Sequence, residues 1–348
     1  MNKKITAKII FFILILLILL HILDRIFIPK WLEEKDNRMT QIIKGFYSEP
    51  KNSLDVVFMG NSDIYRGISP IVLWDEYGIA SYNFVSSGQR MWTAYYLMEE
   101  ALKYQKPKVI VLNMDAAFNE TKSSESNYRK AFDNMKFGTT KIKAILDKVF
   151  KNKLIDKISY IFPTIRYHSR WAELKENDLL EAFKNVKFEY KGMDLTTEIK
   201  PYNYEYQYME KDHSEEKIGK KCSKYLNKMI NLCKKYDIEL LLIELPSAES
   251  WSNDLSKKTT EFAKENNLKY IDMNLNAKEL GFDWKTDSSD GGDHLNVYGA
   301  TKISKYLGNI LQEEYNIPDR RTDAKYKEWY NDSKIYHKDL QKMEEENK

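Results

Sequence analysis

A chain of 348 residues that is 43% hydrophobic and 13% aromatic is long enough for one sizeable core, or one core carrying a large insertion. Its 55 Lys and Arg against 52 Asp and Glu leave a net charge of +3, without the clustered basic excess that marks a nucleic-acid binder. The two cysteines, Cys222 and Cys233, lie in one helix-like stretch. A continuous helix would hold them roughly 16 Å apart, which excludes a disulfide, and two isolated thiols make no metal site.

The first element in the chain sets the compartment. Met1–Lys8 carries Lys3, Lys4 and Lys8 and no acid; Ile9–Leu20 is an unbroken apolar run, extended by Ile22, Leu23, Ile26, Phe27 and Ile28. As a helix, Ile5–Ile28 reaches ~36 Å, enough for a hydrocarbon core of about 30 Å. The lysines ahead of the span place the N-terminus in the cytoplasm and the remainder outside the cell membrane. Asp24 and Arg25 then fall near the outer interface, with Trp31 in its aromatic belt. No small-x-small cleavage site follows the run, which points to a retained single-pass anchor and not a cleaved signal peptide.

Residues 29–51 read as a polar juxtamembrane helix ending near Glu49-Pro50. Leu54–Met59 is a short β-rich run that stops at Gly60. A helix over Ser69–Tyr77, a strand over Ser81–Val85 and an amphipathic helix over Thr93–Tyr104 follow, before Lys106-Pro107 breaks the chain. Val109–Leu112 is apolar throughout, as suits a strand buried on both faces of a parallel sheet. From about 118 to 217 the sequence is charged and rich in Tyr and Lys, read as a largely helical insertion or lid. The alternation resumes with a helix over Glu215–Tyr236, strand Glu239–Ile243, helix Asp254–Glu265, strand Tyr270–Asp272 and helix Tyr298–Glu314. Strands alternating with helices predict an α/β fold with a parallel sheet. The expected organisation is an anchor at 1–28, the juxtamembrane helix at 29–51, an α/β body at 52–318 and a charged tail at 319–348, solvated or partly disordered.

Two segments carry chemistry. In Phe58-Met-Gly60-Asn61-Ser62-Asp63 a strand ends, a glycine allows a tight turn, and Ser62 stands exposed at the carboxyl edge of the sheet. There free backbone N–H groups can hold an oxyanion; the same pattern also serves as a plain helix N-cap. Near the other end, Asp287-Ser-Ser-Asp290-Gly-Gly-Asp293-His294 sets a histidine among acids just before a helix. Serine catalysis needs a neutral imidazole to take the hydroxyl proton and a carboxylate to orient it. Of five histidines, His21 lies in the anchor, His337 in the tail and His213 in a polar run, leaving His294 and His168 as site candidates.

Together these segments resemble the SGNH (GDSL-like) hydrolase superfamily. Gly60-Asn61-Ser62-Asp63 matches its first block, with Ser62 as nucleophile; Asn83-Phe-Val-Ser-Ser-Gly88 resembles the second, with Gly88 as an oxyanion donor. Leu112-Asn113-Met114-Asp115 stands in the place of the third, implying an oxyanion role for Asn113, and Asp290-Gly-Gly-Asp293-His294 resembles the fifth. The resemblance covers residues 52–117 and 236–312 and implies a three-layer, flavodoxin-like sandwich. Met114 separates the Asn and Asp that the family's third block joins, and Gly291 stands where the family's acid lies, so either Asp290 or Asp293 is left to orient His294.

Within the superfamily the chain looks most like membrane-tethered envelope members, such as the D-alanyl transfer protein of teichoic acid synthesis and the alginate O-acetylation proteins. That resemblance implies a serine acyltransferase or carbohydrate esterase acting on O-acyl groups of an envelope polysaccharide or teichoic acid. It also implies a membrane-bound O-acyltransferase as partner. A non-catalytic scaffold or polysaccharide binder on the same fold is the alternative, and a lipase or thioesterase for soluble substrates a third. His168, Arg166 and Arg170 are candidates for holding an anionic polymer, or else an interfacial patch packing Tyr167 and Trp171. Glu244 reads as structural, and Tyr202–Tyr208 as a half-buried edge or a sugar platform. No cofactor or metal motif is present, and no nucleic acid is expected as partner.

Overall fold

The computed structural model describes residues 3–29, 38–121, 124–149, 153–204 and 206–347, with the backbone alone for 38–40. Trp31 and the start of the expected juxtamembrane helix fall outside these residues. Five strands, β1 (Val56–Met59), β2 (Ser81–Asn83), β3 (Val109–Asn113), β4 (Glu239–Glu244) and β5 (Lys269–Asp272), form one parallel sheet in the order β2-β1-β3-β4-β5. Every residue of β1 and β3 is buried, so both faces of the sheet centre are covered and no polar alternation survives in the sequence. The register pairs Met59 with Leu112, Asn113 with Ile243, and Glu244 with Asp272, so the strands end together along one edge.

In chain order the helices are α1 (Lys3–Phe27), α2 (Arg38–Phe46), α3 (Ser62–Gly67), α4 (Pro70–Tyr77) and α5 (Met91–Ala101). Between β3 and β4 come α6 (Glu125–Phe132), α7 (Thr139–Leu146), α8 (Leu154–Ile161), α9 (Thr164–Tyr167), α10 (Glu176–Leu180) and the long α11 (Lys220–Tyr236). The chain closes with α12 (Asn253–Glu265), α13 (Val297–Tyr315) and α14 (Lys327–Glu346). The step from β1 to β2 runs opposite to the steps from β2 to β5, so right-handed crossovers place α4 on one face and α5, α11 and α12 on the other. The packing agrees: α4 lies on α13 and α5 on α11. The result is a mixed α/β body with helices on both faces of the sheet.

One expectation is corrected: α2 is not polar throughout. Ile42, Ile43 and Phe46 are fully buried, Phe46 stacks on Phe84 at 4.0 Å between ring centroids, and Tyr82 Oη donates to the Ile42 carbonyl at 2.9 Å. It covers the β2 edge of the body. The charged C-terminal segment is a helix with most of its surface in water and one buried stripe. Trp329, Asp332 and Tyr336 fall on one stripe of α14 and are buried. The Trp329 ring lies 5.2 Å from Trp74, and Asp332 pairs at 2.8 Å with Lys191, which also meets Glu49 at 2.7 Å. A buried carboxylate is tolerable because its charge is matched. Cys222 and Cys233 are free and buried on the continuous α11, where burial pushes both thiols up to about 12.

α1 is 25 residues long and apolar, with the length and composition to cross a bilayer. Its far end is held by the body, where Asp24 is buried.

Candidate active site

In an open parallel sheet a crevice opens at the carboxyl edge where the winding reverses, and here that point lies between β1 and β3. Three connections converge on it. After β1 the chain turns through Gly60, Asn61 and Ser62 into α3. Gly60 has φ +154°, and a side chain there would stand 2.7 Å from Ile64 Cγ1 and 3.0 Å from Asn113 Cβ, so only glycine lets the turn pass this close to β3. Asn61 caps α3, its Oδ1 accepting from the Asp63 N–H at 3.1 Å, while its Nδ2 donates to Asp115 Oδ2 at 2.5 Å. Ser62, the first residue of α3, is half-buried at the surface of the crevice, and Asp63 beside it is buried.

His294 arrives from the opposite side on a loop held from within. Ser288 Oγ accepts from the N–H groups of Gly291 at 3.2 Å and Gly292 at 2.8 Å, and the Gly292 carbonyl accepts from Ala248 N at 2.7 Å. Both glycines have positive φ, +89° and +111°, which lets the loop curl back on itself. Asn296 then caps α13 through the N–H groups of Tyr298 and Gly299. The curl brings Asp290 under the imidazole. Its Oδ1 accepts from the His294 backbone N–H at 2.7 Å, and its Oδ2 lies 2.6 Å from Nδ1. A carboxylate only accepts, so the ring proton sits on Nδ1 and leaves Nε2 as the base. Asp293 Oδ2 is 3.2 Å from the same Nδ1, close enough for charge interaction.

The Nε2 side of the ring faces the first turn of α3, at 3.8 Å from Asp63 Oδ1. Burial opposes protonation of His294, but the Asp290 hydrogen bond and the charges of Asp63 and Asp293 outweigh it, so its pKa lies above the usual 6.5. Burial would raise Asp290, yet the two bonds from His294 hold its carboxyl below the ordinary 3.8. Asp293 moves the other way, pushed up mainly by burial. The pair that faces the ring is thus one firmly ionised carboxylate and one less so.

Beneath Ser62 lies a group that the sequence reading did not assemble. Asp63, Asp115 and Glu244 bring carboxylate oxygens within 4.8 Å of one another. Burial drives all three carboxyls above their usual range; Asp115 further raises Asp63, and the other two further raise Glu244. Three like charges this close in a low dielectric do not all ionise. Their signal in the sequence was acids at or just past the ends of three adjacent strands, β1, β3 and β4. Glu244 proves to be buried and structural: Oε2 accepts from Met114 N at 3.2 Å and Oε1 from Asn113 Nδ2 at 3.3 Å. A buried acid with a raised pKa keeps its proton on folding and loses it on unfolding, so stability falls as pH rises above 4.5. Glu244→Gln removes that slope. Its unfolding free energy is expected to gain on wild type as pH climbs, at up to about 1.4 kcal/mol per pH unit. A difference independent of pH between 5 and 8 would contradict the assignment.

The remaining candidates divide. Gly88 is half-buried, and the Asn127 amide of α6 packs over its Cα. Asn113 is fully buried, and its Nδ2 donates to Asp115 Oδ1 at 2.9 Å as well as to Glu244. Both amide hydrogens therefore face carboxylates here, not the crevice opening where an oxyanion role was expected of Asn113. Arg166, His168 and Arg170, the expected substrate contacts, lie in the insertion and make contacts of their own there. Arg170 donates to the Phe27 carbonyl and pairs with Asp178 at 3.0 Å; Arg166 pairs with Glu125 at 3.5 Å; His168 is exposed, with Nδ1 3.0 Å from the Ile165 carbonyl. Arg170 thus meets the C-terminal end of α1. Tyr202 and Tyr208 pack edge-on against Trp284, and Tyr208 Oη donates to Asn274 at 2.8 Å; Tyr208 is buried, Tyr202 and Tyr206 are half-buried and Tyr204 is exposed, so the described part of this stretch is a half-buried edge. A cleft of about 400 Å³ does border α3, lined by Arg66, Asp194, Thr196, Glu198 and Met343.

Comparison with protein-family models and with curated proteins finds no match. Among solved structures, the chain is similar to a protein from Desulfitobacterium hafniense described as lipolytic and of the G-D-S-L family. The identity is 12% and the TM-score 0.37, over 74% of this chain and 98% of that one.

Proposed function

We propose that the chain is a serine-dependent esterase or acyltransferase of the SGNH type. In this reading it is held by α1 on the outer side of the cell membrane and acts on O-acyl groups, acetyl or D-alanyl, of an envelope polysaccharide or teichoic acid. The observation that carries it is the Asp290–His294 pair at 2.6 Å, presented by a pre-formed loop to the helical turn that bears Ser62. Ser62 Oγ attacks the acyl carbonyl and its proton passes to His294 Nε2. The N–H groups of Ser62 and Gly88 receive the oxyanion. The protonated imidazole returns the proton to the departing sugar hydroxyl, and the acyl-serine is released to water or to a second hydroxyl. A membrane-bound O-acyltransferase supplying acyl groups across the bilayer favours transfer.

One observation favours a second reading, a non-catalytic scaffold on the same fold: Nε2 is turned to Asp63 at 3.8 Å, and the Ser62 hydroxyl forms no hydrogen bond with another described residue. Catalytic hydrogen bonds in unliganded sites often close only with substrate, so the enzymatic reading stands. A fluorophosphonate probe on the full chain separates the two. Labelling on the peptide containing Ser62, lost in His294→Gln, is expected of the enzyme; an unlabelled wild-type chain that retains its fold would establish the scaffold.

A further inference from the structure

We infer that α8 to α10 and the turn between them form a collar that rests on the outer leaflet of the bilayer around the exit of α1, fixing the height and tilt of the body above the membrane. This rests on reading α1 as a membrane span. Ile5–Leu23 is 19 residues, roughly 28 Å of helix, so the hydrocarbon ends close to Asp24. That is where the insertion grips. Asp24 Oδ1 accepts from both the N–H and the hydroxyl of Thr164 at 2.7 Å, Arg170 donates to the Phe27 carbonyl at 2.6 Å, and Arg25 lies 5.0 Å over the Phe183 ring. The helices beside α1 are therefore pinned at the depth of the headgroups.

Those helices expose what a water-facing surface avoids. Trp171 is 73% exposed and Leu180 62%, and Leu154, Ile165, Leu179 and Phe183 are exposed with them. All six lie in α8, α9, α10 or the segments adjoining them, and α9, α10 and the His168–Ala172 turn touch α1 directly. Exposed apolar side chains gathered in one segment mark a partner surface. Their continuity with the apolar surface of α1 makes lipid the occupant. Trp171, amphipathic and at the level where α1 leaves the core, suits the interfacial belt.

The test uses the full chain in phosphatidylglycerol-rich liposomes. Nitroxide labels go singly on Leu14→Cys, Trp171→Cys, Leu180→Cys and Tyr236→Cys, the native thiols being buried. Oxygen collects in the bilayer and a nickel chelate in water, so the ratio of their collision rates reports depth. Leu14 is expected to read as hydrocarbon, Tyr236 as water, and Trp171 and Leu180 several-fold higher in that ratio than Tyr236. If Trp171 and Leu180 match Tyr236 while Leu14 reads as hydrocarbon, the collar is overturned and the span survives. If Leu14 reads as water, the span itself fails. Labels at Trp171 and Leu180 that are immobile and shielded from both reagents would mean that a second copy of the chain covers the patch, which also overturns the proposal.

Discussion

Ser62→Ala is expected to lower kcat/KM for an acetyl or aminoacyl ester by roughly four to six orders of magnitude, the loss that follows when a serine nucleophile is removed from a working triad. The same change should leave the melting temperature within about a degree or two, since substitutions at half-open sites without buried partners stay near ±0.5 kcal/mol. The two halves of that expectation have one source. Ser62 is half-buried on the first turn of α3, and its hydroxyl satisfies no other described residue. The cap of α3 belongs to Asn61, and the close approach to β3 belongs to Gly60. A serine kept only as an N-cap would show the reverse pattern, with a stability cost of about 1 kcal/mol and no effect on turnover. Paired measurements of ester hydrolysis and thermal unfolding decide between them, and retained turnover in Ser62→Ala would remove the acyl-serine mechanism.

The parts of this molecule that could be read from sequence are those where one segment decides its own environment. Residues 56–59, 109–112 and 240–243 are apolar runs of strand length, as suits a doubly covered sheet. The turn at Gly60 and the curl at Gly291-Gly292 were legible because glycine pairs with a backbone need. What escaped was decided by partners far along the chain. α2 reads as polar until Ile42, Ile43 and Phe46 are set against Tyr82 and Phe84. α14 reads as a charged tail because its buried stripe is three residues in twenty, and one of them, Asp332, is an acid matched by Lys191. Asp63, Asp115 and Glu244 are scattered over some 180 positions, and only the strand register brings them together. The commitment of the Asn113 amide followed from that meeting, and no local pattern announces it.

Asp290→Asn is expected to lower kcat/KM by about four orders of magnitude, again by the precedent of triads that lose their acid. The geometry explains why an isosteric change is so costly here. Asp290 accepts twice from His294, at the ring Nδ1 and at the backbone N–H. An asparagine offers one acceptor and one donor. If its oxygen keeps the backbone bond, its NH2 faces Nδ1 and forces the proton to Nε2, where it blocks the base. If it keeps the ring bond, the backbone N–H loses its partner and the loop loosens. Asp293, 3.2 Å from Nδ1, is the single rescue available, so Asp293→Asn alone should cost little and the double variant more than Asp290→Asn. The pH dependence carries the same logic. Wild-type activity should rise with pH through a His294 pKa above 6.5, because only the neutral ring takes the serine proton. Removing the Asp290 charge moves that limb to lower pH. Stability has its own window. The depressed carboxyl of Asp290 contributes above pH 3.8 and is lost as pH falls through its folded pKa. The raised imidazole of His294 contributes fully below 6.5 and is lost as pH rises through its own. The gap in melting temperature between wild type and Asp290→Asn should therefore be widest between about pH 4 and 6.5 and narrow on both sides. A gap that keeps widening above pH 7 would mean that Asp290 serves the fold through some contact other than His294.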